Sequence, residues 1–126
     1  MNKEEKVQYL ANVYYVVLAD GQVDRIEERA FDDVSRDIGA GYFERKDAME
    51  RAQEPGYQVR PMGRWSEQIR NLEDMLFAAY CNGVLDQAER AAVKQYAAQL
   101  GIEQKQLTHV VQQTKQRYAE FKEKVK

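Results

Sequence analysis

One stretch of this sequence occurs twice, at a constant spacing of 62 residues (from Asp20 to Asn82 and from Gly39 to Gly101). The stretches 20–39 and 82–101 align without a gap and are identical at five of twenty positions, where chance would give about one. The identical pairs are Gly21/Gly83, Asp24/Asp86, Glu27/Glu89, Ala30/Ala92 and Gly39/Gly101. An internal repeat indicates that one structural unit is used twice. The chain is therefore restricted to folds built from two similar units.

Each unit has the residue pattern of three helices. The first helix carries apolar residues three and four positions apart, which places them on one face. These residues are Val7, Leu10, Ala11, Tyr14, Val17 and Leu18 in the first unit and Ile69, Leu72, Leu76, Phe77 and Tyr80 in the second. A glycine turn follows at Gly21 and Gly83, and a second helix ends at Gly39 and Gly101, where a third begins. The pattern predicts an all-α, compact bundle of about six helices in two repeats related by a pseudo-twofold axis.

The chain has the size of one domain, because it contains 126 residues. The predicted boundaries inside this single domain (1–126) are 3–53 for the first repeat, 54–64 for an insert and 65–122 for the second repeat. The insert contains both prolines of the chain and two of its glycines. These residues favour a loop.

Composition excludes several classes of protein. A net charge of −2 provides no broad basic field for binding nucleic acid. The single cysteine, Cys81, excludes an internal disulfide. No apolar run is long enough to span a membrane, although peripheral association stays open. The start, MNKEEKVQYL, lacks the apolar stretch of a signal peptide, so we expect a cytoplasmic protein.

An Asp-x-x-Glu motif follows each glycine turn, at Asp24–Glu27 and Asp86–Glu89. The motif is a capping box, in which the aspartate accepts from a backbone N–H and the glutamate reaches back to the start of the helix. It also matches the second half of an EF-hand calcium loop. The first and third ligand positions of such a loop would be Val16 and Leu18, which offer no carboxylate. The sequence therefore excludes a true EF-hand.

Asp20 has no role in capping. It lies where the preceding helix is predicted to end, and a negative charge among the outward-facing carbonyls there is unfavourable by about 0.3 to 1 kcal/mol. Three explanations of what compensates this charge stay open: a nearby arginine such as Arg25, a bound cation or a basic partner. The candidate cation ligands are Asp20, Asp24, Glu27 and Glu28, with a weaker second loop of Asn82, Asp86 and Glu89. Such oxygen ligands suit calcium, magnesium or manganese better than zinc; capping alone is the alternative, with no cofactor.

The repeated pattern resembles the TerB-like family, which is named for tellurite-resistance proteins. The matching segments are ADGQVDRIEERAFDDVSRDIG and CNGVLDQAERAAVKQYAAQLG, and the resemblance covers roughly residues 7 to 120. It implies a duplicated helical bundle, a link to metal or oxyanion stress, membrane-associated or phage-defence complexes, and kinship with a domain of a DnaJ-type co-chaperone. It also implies metal binding at the acidic loops, that is at Asp20, Asp24, Glu27, Asp86 and Glu89. Asn82 and Arg90 stand where the first unit has Asp20 and Glu28, which makes the second loop a poorer cation site.

A second candidate surface is the insert, with Tyr57, Arg60, Arg64 and Trp65. Arginine beside aromatic residues is typical of binding hot spots. The alternative is that Trp65 fills the core at the start of the second unit while the arginines are solvated. Other aromatic residues at helical spacing are predicted to belong to the core; they are Tyr14, Tyr15, Phe31, Tyr42 and Phe43.

No residue pattern supports catalysis. There is no glycine-rich phosphate loop, and Cys81 and His109, the single cysteine and histidine, lie on different predicted helices. We therefore expect a TerB-like stress-response or scaffold domain, not an enzyme, whose acidic loop binds a divalent cation or a basic protein partner. The alternative is a protein-interaction module that uses the insert and holds no ligand. A hydrolase that uses the carboxylates is least favoured.

Overall fold

The computed structural model describes residues 1–21, 23–81 and 85–124, apart from the side chain of Asp20. Within these ranges the chain forms six α-helices, one short 3-10 helix (Leu18–Asp20) and no strand. The α-helices are α1 Lys3–Val17, α2 Arg25–Asp37, α3 Tyr42–Ala52, α4 Trp65–Tyr80, α5 Gln87–Leu100 and α6 Gln104–Lys124. None of these helices is both long enough and apolar enough to cross a membrane. The predicted all-α bundle is thus confirmed.

Local side-chain signals explain where several helices begin and end. Asn2, Asp24 and Asp86 precede α1, α2 and α5, and each accepts a hydrogen bond from the backbone N–H three residues later. A glutamate at that later position bonds back to the N–H of the capping residue, which completes a capping box. At the other ends, Gly39 and Gly101 follow α2 and α5 with φ of 72° and 73°. Glycine adopts this left-handed conformation without steric cost and so terminates both helices.

The spacing of 62 residues extends to the whole set of helices. It separates the starts of α1 and α4 (Lys3 and Trp65), of α2 and α5 (Arg25 and Gln87), and of α3 and α6 (Tyr42 and Gln104). The pattern thus reaches well beyond the stretch that shows sequence identity. The pseudo-twofold axis itself stays a prediction.

Helices α1 and α4 form the centre of the bundle and pack against each other. Helix α3 packs on α1 and α6 packs on α4, while α2 and α5 each contact both central helices. The largest fully buried side chains include Tyr9, Leu10, Leu72, Met75, Leu76 and Tyr96. Burial of each such aliphatic side chain stabilises the fold by about 1.5 to 3 kcal/mol. The core therefore lies along the α1–α4 contact.

Polar side chains are also buried between α1 and α4. Tyr9 donates its hydroxyl to Asp74, and Asn12 Nδ2 donates to Asn71 Oδ1 at 2.8 Å. Asn71 Nδ2 in turn donates to the backbone carbonyl of Tyr9 at 3.0 Å. Residues 9 and 71, and residues 12 and 74, are separated by the same 62 positions, so the two helices exchange equivalent contacts. Because buried polar groups need partners, this network specifies the register of α1 against α4.

The aromatic residues predicted to be core divide into two groups. Tyr14 and Phe31 are buried, with ring centroids 5.0 Å apart, and Tyr15 is partly buried. The prediction is wrong for Tyr42 and Phe43, which are 70% and 68% exposed. These two residues occupy the first turn of α3, and burial on that helix starts only at Ala48.

Candidate functional site

The acidic motifs fold as capping boxes in both halves. The Glu27 N–H donates to Asp24 Oδ1 at 2.8 Å, and the Asp24 N–H donates to Glu27 Oε1 at 3.1 Å. Asp86 and Glu89 repeat this geometry with the same two distances. The structural role predicted for these four residues is therefore confirmed.

The acidic residues of the first loop differ in how far their side chains are buried. Glu27 is only 1% exposed, as is Glu89 in the second half. Asp24 and Glu28 are exposed instead. Among the residues that the structure describes, no three histidine, cysteine, aspartate or glutamate side chains are grouped closely enough to hold a metal ion.

One pair of side chains that distinguishes the two loops, Asp20 and Asn82, lies outside what is described. Asn82 falls in the stretch 82–84, and the side chain of Asp20 is likewise not described. The backbone at Asp20 ends the 3-10 helix, and Gly21 closes it with φ of 88°. The roles of Asp20 and Asn82 in a cation site thus stay predictions.

In the insert, Tyr57 anchors the loop to the bundle. Its hydroxyl donates to Asn12 Oδ1 at 2.7 Å and accepts from Gln8 Nε2 at 2.7 Å. Its ring stacks on Tyr15 with centroids 5.3 Å apart. Burial raises the pKa of Tyr57 to about 12. Tyr57 therefore stabilises the loop and offers little surface to a partner.

Asn12, on α1, anchors the middle of the insert through hydrogen bonds to the backbone of Arg60. Its amide group donates to the carbonyl of Arg60 at 2.6 Å, and its oxygen accepts from the Arg60 N–H at 3.1 Å. Val59 and Met62 are buried on either side. The carbonyl of Val59 also accepts from Gln99 Nε2 at 2.9 Å. The insert is thus a well-anchored loop.

Three residues of the predicted insert surface are exposed: Arg60, Arg64 and Trp65. Trp65 is 57% exposed, so the interpretation that it fills the core is wrong. Trp65 is the first residue of α4, and residues 63–66 around this helix start are all exposed. Complete burial on this helix starts at Asn71.

Tyr42 and Phe43 begin α3 and Trp65 begins α4, and residues close to both helix starts contact the start of α1. The first turn of α4 reaches the chain start, since the Met1 ammonium lies 3.5 Å from Glu67 Oε2. The residues just before α3 also lie near the start of α1, because Lys6 Nζ donates to the carbonyl of Gly39 at 3.2 Å. The starts of α3 and α4 therefore flank the first two turns of α1. We call Tyr42, Phe43 and Trp65 the aromatic end.

Sequence reasoning missed two of the three residues of the aromatic end. Tyr42 and Phe43 are adjacent and pack edge to face, with centroids 5.3 Å apart. Adjacent residues on a helix point about 100° apart, so both are buried only on a helix that is covered over a wide face, as α1 and α4 are. This adjacency, directly after the helix start at Gly41, was the available signal.

Charges border the aromatic end. A hydrogen bond from the Gly41 N–H lowers the pKa of Glu44, with a further contribution from Lys3 and Lys6. The Arg64 N–H lowers the pKa of Glu67 in the same way. The aromatic rings therefore sit among exposed groups of both signs, as at the polar rim of a protein interface.

The one cysteine does not have the surroundings of a nucleophile. Cys81 is buried, and burial raises the pKa of its thiol. A thiol must ionise to attack, and an apolar site suppresses ionisation. Cys81 is thus a small buried side chain of the core, and His109 lies on the exposed side of α6.

Comparisons with known proteins reveal no relative: no family model, no curated protein and no solved structure matches this chain. The resemblance to the TerB-like family therefore stays an expectation from the repeated motif.

Proposed function

We propose that this chain is a protein-binding domain of TerB-like type that serves as a scaffold in a stress response, and that the aromatic end contacts its partner. One observation supports this choice above the others. Three large aromatic side chains, at the starts of α3 and α4, are more than half exposed in a domain whose other large apolar residues are mostly buried. Exposed apolar groups with a polar border are typical of interaction sites.

The residue types favour a protein partner. Tryptophan and tyrosine are enriched at binding hot spots, where truncation to alanine costs about 2 kcal/mol or more. Their rings bury a large area and lose little conformational freedom, since they have only two side-chain torsions. Arg60 and Arg64, also exposed, supply polar contacts beside Trp65.

Quantitative pull-down tests this function. Trp65→Ala and the double variant Tyr42→Ala/Phe43→Ala are compared with wild type, and bound proteins are measured by mass spectrometry. We expect at least one protein captured by wild type to be lost from both variants. A hot-spot loss of about 2 kcal/mol corresponds to a roughly thirty-fold weaker affinity.

The matched control is Ile26→Ala. Ile26 is 42% exposed on α2, away from the aromatic end. This control should retain the partner, and all variants should melt within a few degrees of wild type, since the altered side chains are exposed. Unchanged capture by Trp65→Ala and by the double variant would exclude this surface.

A second candidate function is cation binding at the acidic loop. The observation that favours it is the exposure of Asp24 and Glu28, which are four residues apart and so share one face at the start of α2. Asp20 lies four residues before Asp24. This function would be lost with the charge of Asp20.

A further inference from the structure

A groove lies in the second half of the chain, between α4, α5 and α6. Its volume is about 520 Å³, which is within the range of natural ligand sites. Its floor is apolar: Tyr80, Leu85 and Val111 are partly buried, and Leu76, Val93 and Leu107 are buried. The groove is far from the aromatic end in sequence and involves none of its residues.

The groove results from how α5 and α6 pack. Both helices pack against α4, but in the part of the chain that the structure describes they hardly touch each other. The surface of α4 is therefore left as a floor between two helical walls. A second helix or an extended segment can reach this floor from outside.

The walls of the groove carry only positive charge. Arg90 and Lys94 lie one turn apart on α5, and Lys115 lies on α6. None of the described residues that line the groove is acidic. Among the described residues, no carboxylate lies within 4.0 Å of these three cations. An apolar floor with uncompensated cations on both walls is complementary to a ligand that is apolar on one face and acidic at its edges.

The corresponding place in the first half has the opposite charge. Residues 28 and 32, which lie 62 positions before Arg90 and Lys94, are Glu28 and Asp32. Asp32 forms an ion pair with Arg45, and this pair connects α2 to α3.

The first half also has larger groups at this place. Arg45 and Phe31 stand 62 positions before Leu107 and Val93. The Phe31 ring packs against Tyr14 and lies 6.0 Å from the Arg45 guanidinium carbon. The cationic, open groove is thus a property of the second half and does not follow from the repeat.

We propose that this groove binds an acidic amphipathic helix of a partner protein. Leucine-like side chains at positions i, i+3 and i+4 of that helix contact Tyr80, Leu85 and Val111, the partly exposed apolar residues of the groove, as in other helix-in-groove complexes. Its carboxylates pair with Lys94 and Lys115 on the two walls. The groove takes the side chains of one helical face and leaves the opposite face of the bound helix in solvent.

Selection from a displayed library tests this proposal. The library holds random peptides of about 16 residues, or roughly 24 Å of helix. We expect wild-type protein to enrich peptides with net negative charge and apolar residues at helical spacing. Backbone NMR shifts on adding a selected peptide should concentrate at residues 80, 85 and 111.

Two charge-reversal variants, one inside the groove and one outside it, test whether the groove lysines bind the peptide. Lys94→Glu/Lys115→Glu changes two exposed residues of the groove, and Lys105→Glu/Lys122→Glu changes two exposed lysines outside it. The first variant should bind the selected peptide at least about ten-fold more weakly, and the second should bind within about two-fold of wild type. Replacing the apolar residues of the peptide by serine should abolish binding, and polyglutamate should not compete.

Several outcomes would overturn the proposal. They are enrichment of no peptide, or of neutral or basic peptides; equal binding by the two variants; effective competition by polyglutamate; and NMR shifts at the aromatic end. Self-association of the chain that only Lys94→Glu/Lys115→Glu disrupts would also overturn it, since a second copy would then occupy the groove. Because Trp65→Ala leaves the groove intact, failure here is distinguishable from failure of the proposed function.

Discussion

At the scale of single residues, the most constrained group is Asp74. Its carboxylate is buried between α1 and α4, where it accepts from the Tyr9 hydroxyl and from Arg117 Nη1 at 2.7 Å. The guanidinium of Arg117 also lies 3.9 Å from the centre of the Phe77 ring. Burial and the adjacent Asp74 carboxylate raise the pKa of Tyr9. A buried charge persists in a core only when such partners satisfy it, so each partner contributes to stability.

Tyr9→Phe tests this contribution. The change removes one donor to the buried carboxylate and leaves the ring in place, so we expect the free energy of unfolding to fall by about 1.5 to 3 kcal/mol. Urea denaturation at neutral pH measures it. Tyr42→Phe, at an exposed position, should change stability by less than about 0.5 kcal/mol. Equal effects of the two variants would contradict a stabilising role for the Tyr9–Asp74 bond.

The raised pKa of Tyr57 predicts that the free energy of unfolding depends on pH. Its pKa rises from 10.0 to about 12 in the folded protein, mainly through burial. Above pH 10 the unfolded chain loses this proton first, so the folded state binds more protons. The stabilising effect is therefore complete below pH 10 and is lost as the pH rises towards 12.

Comparison of wild type with Tyr57→Phe isolates this effect, since the remaining tyrosines are common to both proteins. The difference between their free energies of unfolding should shrink as the pH rises from 10 to about 12. Urea denaturation across this range provides the measurement. A difference that stays constant throughout would show that Tyr57 titrates as in the unfolded chain.

At the scale of elements, the first turns of the helices carry much of the candidate chemistry. The starts of α2 and α5 hold identical capping boxes, so capping alone gives no reason for the two loops to differ. The difference lies just upstream, where Asp20 in the first loop corresponds to Asn82 in the second. Either side chain can serve the turn, because aspartate and asparagine have similar turn preferences. The charge of Asp20 is therefore the feature to test.

Asp20→Asn is the direct test of the cation site. If Asp20 is a ligand, calcium, magnesium or manganese should raise the melting temperature of wild type but not of the variant. Without ions the variant should be as stable as wild type, or more stable by about 0.3 to 1 kcal/mol, because a charge at a helix end is removed. Asp47→Asn, which changes an exposed residue of α3, should keep the response to ions. Absence of any shift in wild type would exclude the site.

At the scale of the whole molecule, the two halves share helix starts and capping but differ in what surrounds the central pair. Helices α1 and α4 contact each other and helices of both halves, whereas α3 and α6 pack mainly on one partner each. The first half connects its outer helices through Arg45 and Asp32, and the second half leaves its groove open. Stability should consequently be highest at the centre and lower in the outer helices.

Hydrogen exchange under native conditions checks this distribution. We expect the slowest backbone amides in α1 and α4, close to Tyr9, Leu10, Leu72 and Met75, because these residues are fully buried. The amides of α6 should exchange faster, since few of its residues are buried. Slowest exchange in α6 would contradict a core centred on α1 and α4.

Much of the fold could be predicted from local patterns. Apolar spacing, Gly39, Gly101 and the Asp-x-x-Glu motifs all act over a few residues, so they identify helices and their ends directly. The exposure of Trp65, Tyr42 and Phe43 could not be predicted in this way. It depends on whether other helices cover the first turns of α3 and α4, and that is decided by helix packing.

The sequence by itself determined the all-helical class, the helix ends and the duplication, because hydrogen bonding and capping are local and repeat every few residues. Tertiary structure alone decided which polar side chains meet in the centre, such as Asn12 with Asn71, and which apolar ones stay outside. It also brought Lys94 and Lys115 to opposite walls of one groove, although they lie on different helices. Contacts between distant residues depend on the packing angles of whole helices, and no spacing within one helix encodes those angles.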